Sequence, residues 1–354
     1  MKIKDIISYL ETIAPPNLQE NYDNSGLIVG SADTACTNIL LCLDATEAVI
    51  DEATAMGCNL VVAHHPIVFG GLKKLNGKNY VERSVIKAIR NDVAIYAIHT
   101  NLDNVKAGVN AKIAERLELK NCQILLPKSR LLRKISVWCP WTDADHVGKA
   151  LLDAGGGAGN YHALMHKTLG ISAPADPQAS NKAQGEIRIE TLYAAHSEQA
   201  ILNALLLAHP MPNPHYDITT VENIHTSVGA GMIGELPEPL PSVDFLHLLK
   251  ERMNVSCLRH TAIVRDTVRE IALCGGAGFF LLPEALRKKA DVYITADIKY
   301  HEFFDANERI IIADIGHYES EQFTMELILQ LLNKKFPTFA PRITGVNTNP
   351  IFYL

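Results

Sequence analysis

No Cys-x-x-C pair occurs in this chain, although it carries seven cysteines. An odd number without close pairing argues against both a disulfide framework and a cysteine-built zinc site, and implies free thiols in a reducing cytoplasm. There is no basic run either, and the formal net charge is −6, so no dedicated nucleic-acid surface is expected. No apolar stretch reaches the roughly 20 residues of a membrane span. Met1-Lys2-Ile3-Lys4-Asp5 enters helical spacing directly, without a signal-peptide core. What is present is an ordinary globular composition, 47% apolar and 20% charged over 354 residues, enough for two or three domains with real cores.

The most informative stretch is Leu60-Val61-Val62-Ala63-His64-His65-Pro66. A short apolar run reads as a buried strand of a parallel sheet, and Pro66, with no N–H to give, stops it. Both imidazoles then stand at the carboxyl end of a strand, where open α/β sheets bind ligands. Neighbouring strand residues face opposite sides, so either the chain turns here and two metal ions take one histidine each, or one histidine is core and the other solvated.

The same logic applies along the chain. Strands are expected at 38–43, 60–63 and 93–98, with helices at 3–13, 44–56, 80–90 and 108–117 between or around them. This alternation predicts a parallel doubly wound sheet. Its strand ends carry His64, His65 and the run His99-Thr100-Asn101-Leu102-Asp103. The polar cluster Asn21-Tyr22-Asp23-Asn24-Ser25-Gly26 reads first as a set of Asx-type turns and second as a pocket lining. Composition shifts after Pro127, and residues 128–232 read as an inserted ferredoxin-like α+β unit, with a helix capped by Thr142. Its histidines show no compact ligand spacing except His162 and His166. From 233 the α/β pattern resumes, with strands at 271–274, 291–295 and 310–313 and a helix from about 317 to 335. The fold class is therefore α/β: two similar parallel-sheet βα halves, 1–127 and 233–354, form one core around the insertion.

His317 and Glu321, four apart at a helix start, share one helical face. With His64, His65 and Asp103 they give three imidazoles and two carboxylates, all following expected parallel strands. The set is too small for two closed tetrahedral sites. It suits two open sites sharing a bridging carboxylate, filled by zinc, iron(II), manganese or cobalt. His99, Asp297 and His301 are candidates for orientation or proton transfer. The run Gly275-Gly276-Ala277-Gly278 lacks the Walker lysine and reads as a tight strand-to-helix turn, with phosphate approach as the alternative. The expected activity is hydrolysis of a C–N bond or phosphoester in a small molecule. The rival is a non-enzymatic metal-holding or regulatory scaffold.

Asp23-Asn24-Ser25-Gly26-Leu27, Ala63-His64-His65-Pro66, His99-Thr100-Asn101-Leu102-Asp103, Cys274-Gly275-Gly276-Ala277-Gly278, Tyr293-Ile294-Thr295-Ala296-Asp297-Ile298-Lys299-Tyr300-His301 and Gly316-His317-Tyr318-Glu319-Ser320-Glu321 together resemble the Nif-three-like family. Its members are described as GTP cyclohydrolase I type 2 homologues or dinuclear metal-centre proteins. The resemblance implies His64 and His317 on one metal, His65 and Asp103 on the other, Glu321 bridging, and a toroidal homohexamer. It also implies that the insertion is PII-like. The stretch Gly159-Asn160-Tyr161-His162-Ala163-Leu164 departs from the family pattern, so the resemblance carries no ligand site into the insertion.

Overall fold

The structure, a computed structural model, describes residues 1–157, the backbone of 164–167, and 186–354. The chain folds as two compact units, Met1–Leu126 with Val228–Leu354, and Pro127–Ser227. In chain order the strands are β1 (Gly26–Val29), β2 (Ile39–Cys42), β3 (Leu60–Ala63), β4 (Ala94–Ala97), β5 (Lys120–Ser129), β6 (Leu132–Pro140), β7 (Leu164–Lys167), β8 (Glu186–Ala194), β9 (Tyr216–Val221), β10 (Ile224–Pro241), β11 (Arg259–His260), β12 (Thr267–Ala277), β13 (Val292–Ala296), β14 (Ile311–Asp314) and β15 (Arg342–Ile343). The helices are α1 (Ile3–Ile13), α2 (Glu47–Ala55), α3 (Tyr80–Arg90), α4 (Thr100–Asp103), α5 (Val109–Arg116), α6 (Ala144–Asp153), α7 (Glu198–Ala208), α8 (Ser242–Arg252), α9 (Leu282–Arg287), α10 (His317–Glu321) and α11 (Thr324–Lys335).

The first unit holds two sheets, ordered β1-β4-β3-β2-β15 and β11-β14-β13-β12-β10-β5. In each, three strands run parallel in chain order, β2, β3, β4 and β12, β13, β14. In each, an antiparallel strand from earlier in the half, β1 or β11, closes the side of the third. All residues of β2, β3, β4, β13 and β14 are buried. Helices cover such a sheet on both faces, so its strands read as unbroken apolar runs. α2 starts where the Thr46 hydroxyl accepts from the Val49 N–H, and α3 where Asn79 does the same for Glu82.

The second unit is one antiparallel sheet ordered β7-β8-β6-β9, interleaved with α6 and α7, the arrangement of a ferredoxin-like fold. β8 alternates half-buried and buried residues, as expected when one face packs on helices. Thr142 does not cap: α6 begins at Ala144 after a tight turn, and the Thr142 hydroxyl donates to Asp143 instead. This unit ends at Ser227, earlier than the expected 232, because residues 228–241 continue as β10 in the first unit. His162, the side chain of His166 and residues 168–185 lie outside the described residues.

Candidate metal centre

Asp44 lies two residues past β2, and His64 and His65 follow β3 directly. The N–H groups of His64 and His65 still donate to Cys42 and Leu43 carbonyls at 3.0 and 2.9 Å, so the two histidines hang from the sheet itself. β4 runs into His99 and α4, and β14 into α10. Gly316, at φ +89°, makes the turn into α10. All these ends converge on one cavity of about 490 Å³ within the first unit.

Each ring is held by its Nδ1. His64 Nδ1 bonds the Ile98 carbonyl at 2.9 Å, His65 the Asp44 carboxylate at 2.9 Å, His99 the Asp23 carboxylate at 2.8 Å, and His317 the Asp297 carboxylate at 2.7 Å. That is the outer-shell pattern that orients imidazoles for metal binding. Glu321 sits between the rings with its side chain 3% exposed. Its Oε2 is 2.9 Å from His65 Nε2 and 3.1 Å from His317 Nε2, and its Oε1 is 3.8 Å from His64 Nε2. His64 Nε2 and Asp103 Oδ1 are 3.7 Å apart, and each is buried without a hydrogen-bond partner. Two ligands about 2.1 Å from one tetrahedral cation stand about 3.4 Å apart, so these buried atoms are spaced for an ion and too far apart for a hydrogen bond.

The electrostatics agree. Burial works to lower the His65 pKa, yet its hydrogen bonds to Asp44 and Glu321 outweigh this and raise it to about 10. His317 rises to about 11, burial again outweighed, here by Asp297 and Glu321. Burial and then the charge of Glu321 push Asp103 up to about 7. Glu321 is held well below the usual carboxylate range: burial opposes its charge, but the bonds from His317 and His65 prevail. Raised imidazole pKa values around a depressed carboxylate mark a place that stabilises positive charge, as a cation site must.

Groups able to hold a metal are, among the described residues, His65 with His317 and Glu321, His64 with Asp103 and Glu321, and His64 with His65 and His99. In this geometry His317 stands with His65 at Glu321 Oε2, and His64 with Asp103 on the Oε1 side, whereas the resemblance groups His64 with His317 and His65 with Asp103. His99 and Asp297 are at the site; His301 is not. It is exposed, with its ring against Tyr300 and Phe304 in the turn after β13. Two anchors were missed as such: Asp44, which reads as a helix opener, and Asp23, whose side chain is fully buried under His99. Asp23 also accepts from the Thr100 N–H at 3.0 Å, so its turn serves the pocket. The 275–278 turn lies here too. A Cβ on Gly276, at φ +64°, would stand 2.5 Å from Glu321 Oε1, so glycine is what lets Glu321 occupy the centre.

Fold and site together define an α/β protein with a histidine–carboxylate cluster, suited to metal, at the carboxyl ends of two similar parallel sheets. Residues 1–350 match the family described as Duf34/NIF3 (NGG1p interacting factor 3), and the chain belongs to that family. It is 33% identical to a GTP cyclohydrolase 1 type 2 homolog of Halalkalibacterium halodurans, over 99% of this chain and 98% of that one. The homolog of the same description from Bacillus subtilis is 31% identical over 99% and 98%. A solved Bacillus cereus protein described as related to NIF3 superposes with a TM-score of 0.86 at 32% identity, covering 100% of this chain and 99% of the other.

Proposed function

We propose that this cleft is the active site of a metal-dependent hydrolase that holds two divalent transition-metal ions and cuts a C–N bond or phosphoester of a small molecule. The observation that carries the reading is the pair of buried, partnerless atoms His64 Nε2 and Asp103 Oδ1, facing each other across 3.7 Å beside Glu321. His64 and Asp103 would hold one ion, His65 and His317 the other, and Glu321 would bridge. When bound, such ions supply Lewis acidity and lower the pKa of water toward neutrality. The carboxylates of Asp44 and Asp297 and the Ile98 carbonyl fix the three ring orientations. With its Nδ1 held by Asp23, His99 has Nε2 as the atom that takes or gives a proton.

The names of the relatives support a hydrolase-like family, and "homolog" in those names stops short of an activity. The homohexamer implied by the resemblance and the cytoplasmic setting expected from the unpaired cysteines belong to the same proposal; light scattering tests the first. No helix among the described residues is long and apolar enough to cross a membrane. The functional test is a screen of phosphoesters, cyclic amides and nucleosides with zinc, manganese, cobalt and iron(II). Turnover that a chelator abolishes, metal restores and Glu321→Ala lacks supports the hydrolase. Filled sites without turnover on any class favour a metal-holding scaffold.

A further inference from the structure

We propose that the cleft takes an uncharged, planar nitrogen heterocycle, a free base or nucleoside-type ring, and discriminates against its phosphorylated forms. The proposal rests on the reading of this cleft as the substrate site and narrows its substrate class.

The first observation is the rim. Tyr22, Phe69, Tyr80 and Phe280 all line the cavity, and they are 70%, 54%, 61% and 62% exposed. Four large rings left in water around one opening are a stacking surface for a flat partner. Phe69 stands edge-on to His99, centroids 5.7 Å apart, so a ring stacked at the rim lies beside the histidine cluster.

The second observation is charge. Among the described residues lining the cavity none is lysine or arginine, while Glu20, Asp44, Asp103 and Glu321 are acidic. Two divalent ions bring four positive charges. Asp23, Asp44, Asp103, Asp297 and Glu321, all bonded within or spaced around the histidine cluster, bring five negative ones. No surplus positive field is left for a polyphosphate, whose recognition ordinarily uses arginine or lysine forks.

The third observation is the glycine turn, the one phosphate-like motif in the chain. Its N–H groups are already donated inward: Gly275 to Asn110 Oδ1 at 3.0 Å, Gly276 to the Ser320 hydroxyl at 2.9 Å, and Gly278 to the Thr295 hydroxyl at 2.9 Å. A turn whose amides are satisfied cannot cradle a phosphate. It serves the packing around Glu321 instead. The guanine nucleotide in the relatives' description therefore does not extend to this lining as a triphosphate.

The experiment is calorimetric and ligand-observed NMR titration of the full chain, metal-free and zinc-loaded, with hypoxanthine, guanosine, GMP, GTP and inorganic phosphate. The expected order is hypoxanthine and guanosine binding, with affinity at least tenfold lower for GTP than for guanosine in both forms. Tyr22→Ala and Phe280→Ala should each weaken guanosine by about tenfold, within the range of one base–aromatic stack, with the ion content unchanged. GTP binding as tightly as guanosine or tighter overturns the proposal. So does a failure of both heterocycles to bind, or rim variants that bind guanosine like the wild type. Ion content measured on the same samples separates the two readings. Absent ions sink the metal site, and the metal-free binding order still decides the substrate class.

Discussion

The two halves of the core share a plan and differ in what they place on it. Each has three parallel strands in chain order with an antiparallel strand beside the third. Each follows that third strand with a short helix and an imidazole and carboxylate four residues apart: His99, at the cap position before α4, with Asp103 in one half, and His317 with Glu321, both in α10, in the other. The middle strand ends in His64 and His65 in the first half and in Asp297 in the second. The first strand leads to Asp44 in the one and to the 275–278 glycine turn in the other. Equivalent scaffold positions thus differ: at the middle strand two potential ligands stand opposite an orienting carboxylate, and at the first strand an orienting carboxylate stands opposite a space-maker. The carboxylates differ by one methylene. Glu321 reaches His65 and His317 with Oε2 and faces His64 with Oε1, whereas Asp103 faces only His64. The halves are not interchangeable, and the bridge comes from the second.

The largest effect expected short of removing the bridge is at Gly276. Gly57, in the first half, has φ +66° with nothing within 4 Å of an added Cβ, while Gly276, at φ +64°, has Glu321 Oε1 at 2.5 Å. Gly57→Ala should cost only the left-handed strain, roughly 1 kcal/mol in chemical denaturation. Gly276→Ala should cost more and also lower the ions bound per chain. Equal losses and unchanged ion content would break the distinction between the halves.

Next in size are the orienting carboxylates, one from each half. Asp44→Asn and Asp297→Asn should each weaken metal binding by about 10- to 100-fold while leaving the fold intact. NMR of the metal-free protein should show the His65 pKa falling from about 10 in Asp44→Asn and that of His317 from about 11 in Asp297→Asn. An effect of either variant on the other half's ring alone would contradict the assignment.

A smaller effect is the pH dependence of the metal-free chain. Both folded pKa values lie above the ordinary histidine value of 6.5. The stability these rings contribute is therefore full below about 6.5 and is lost as pH rises through about 10 and 11. A melting temperature in chelator should fall across that window, and metal uptake at pH 8 should release protons, read by calorimetry in buffers of different ionisation heat. A flat melting profile and no proton release would oppose it. The smallest expected effect is none at all: His301→Ala should leave ion content and any turnover unchanged.

Much of this comparison is legible in the amino-acid order, because a buried parallel strand writes itself as an unbroken apolar run and its end is where polar residues start. Leu60-Val61-Val62-Ala63 before two histidines is such a case, as is Ile311-Ile312-Ala313-Asp314 before Gly316 and His317. What was not legible depends on contacts across the chain. Asp23 and Asp44 are ordinary turn and cap residues until a ring 76 or 21 positions away meets them. The sorting of His65 with His317 needs the two halves brought together. The orientation of His301 needs the turn after β13, whose tight helix faces it outward. β10 was not among the expected strands, and its run Gly229-Ala230-Gly231-Met232-Ile233-Gly234-Glu235-Leu236-Pro237 is rich in glycine and proline, which weaken a strand signal. Gly231 is required there because a Cβ would stand 2.9 Å from the Leu273 carbonyl oxygen. The helix expected from 317 to 335 is two, α10 and α11, split at Gln322 and Phe323.

The most direct test of the central claim is metal content per chain by elemental analysis, on protein purified without chelator, for the wild type and Glu321→Ala side by side. About two transition-metal ions per wild-type chain, falling sharply in the variant, is the result this account predicts, since one carboxylate faces both histidine groups. Zero or one ion in the wild type, or a variant that keeps its ions, would contradict it, and the cluster would then be the polar lining of a cleft.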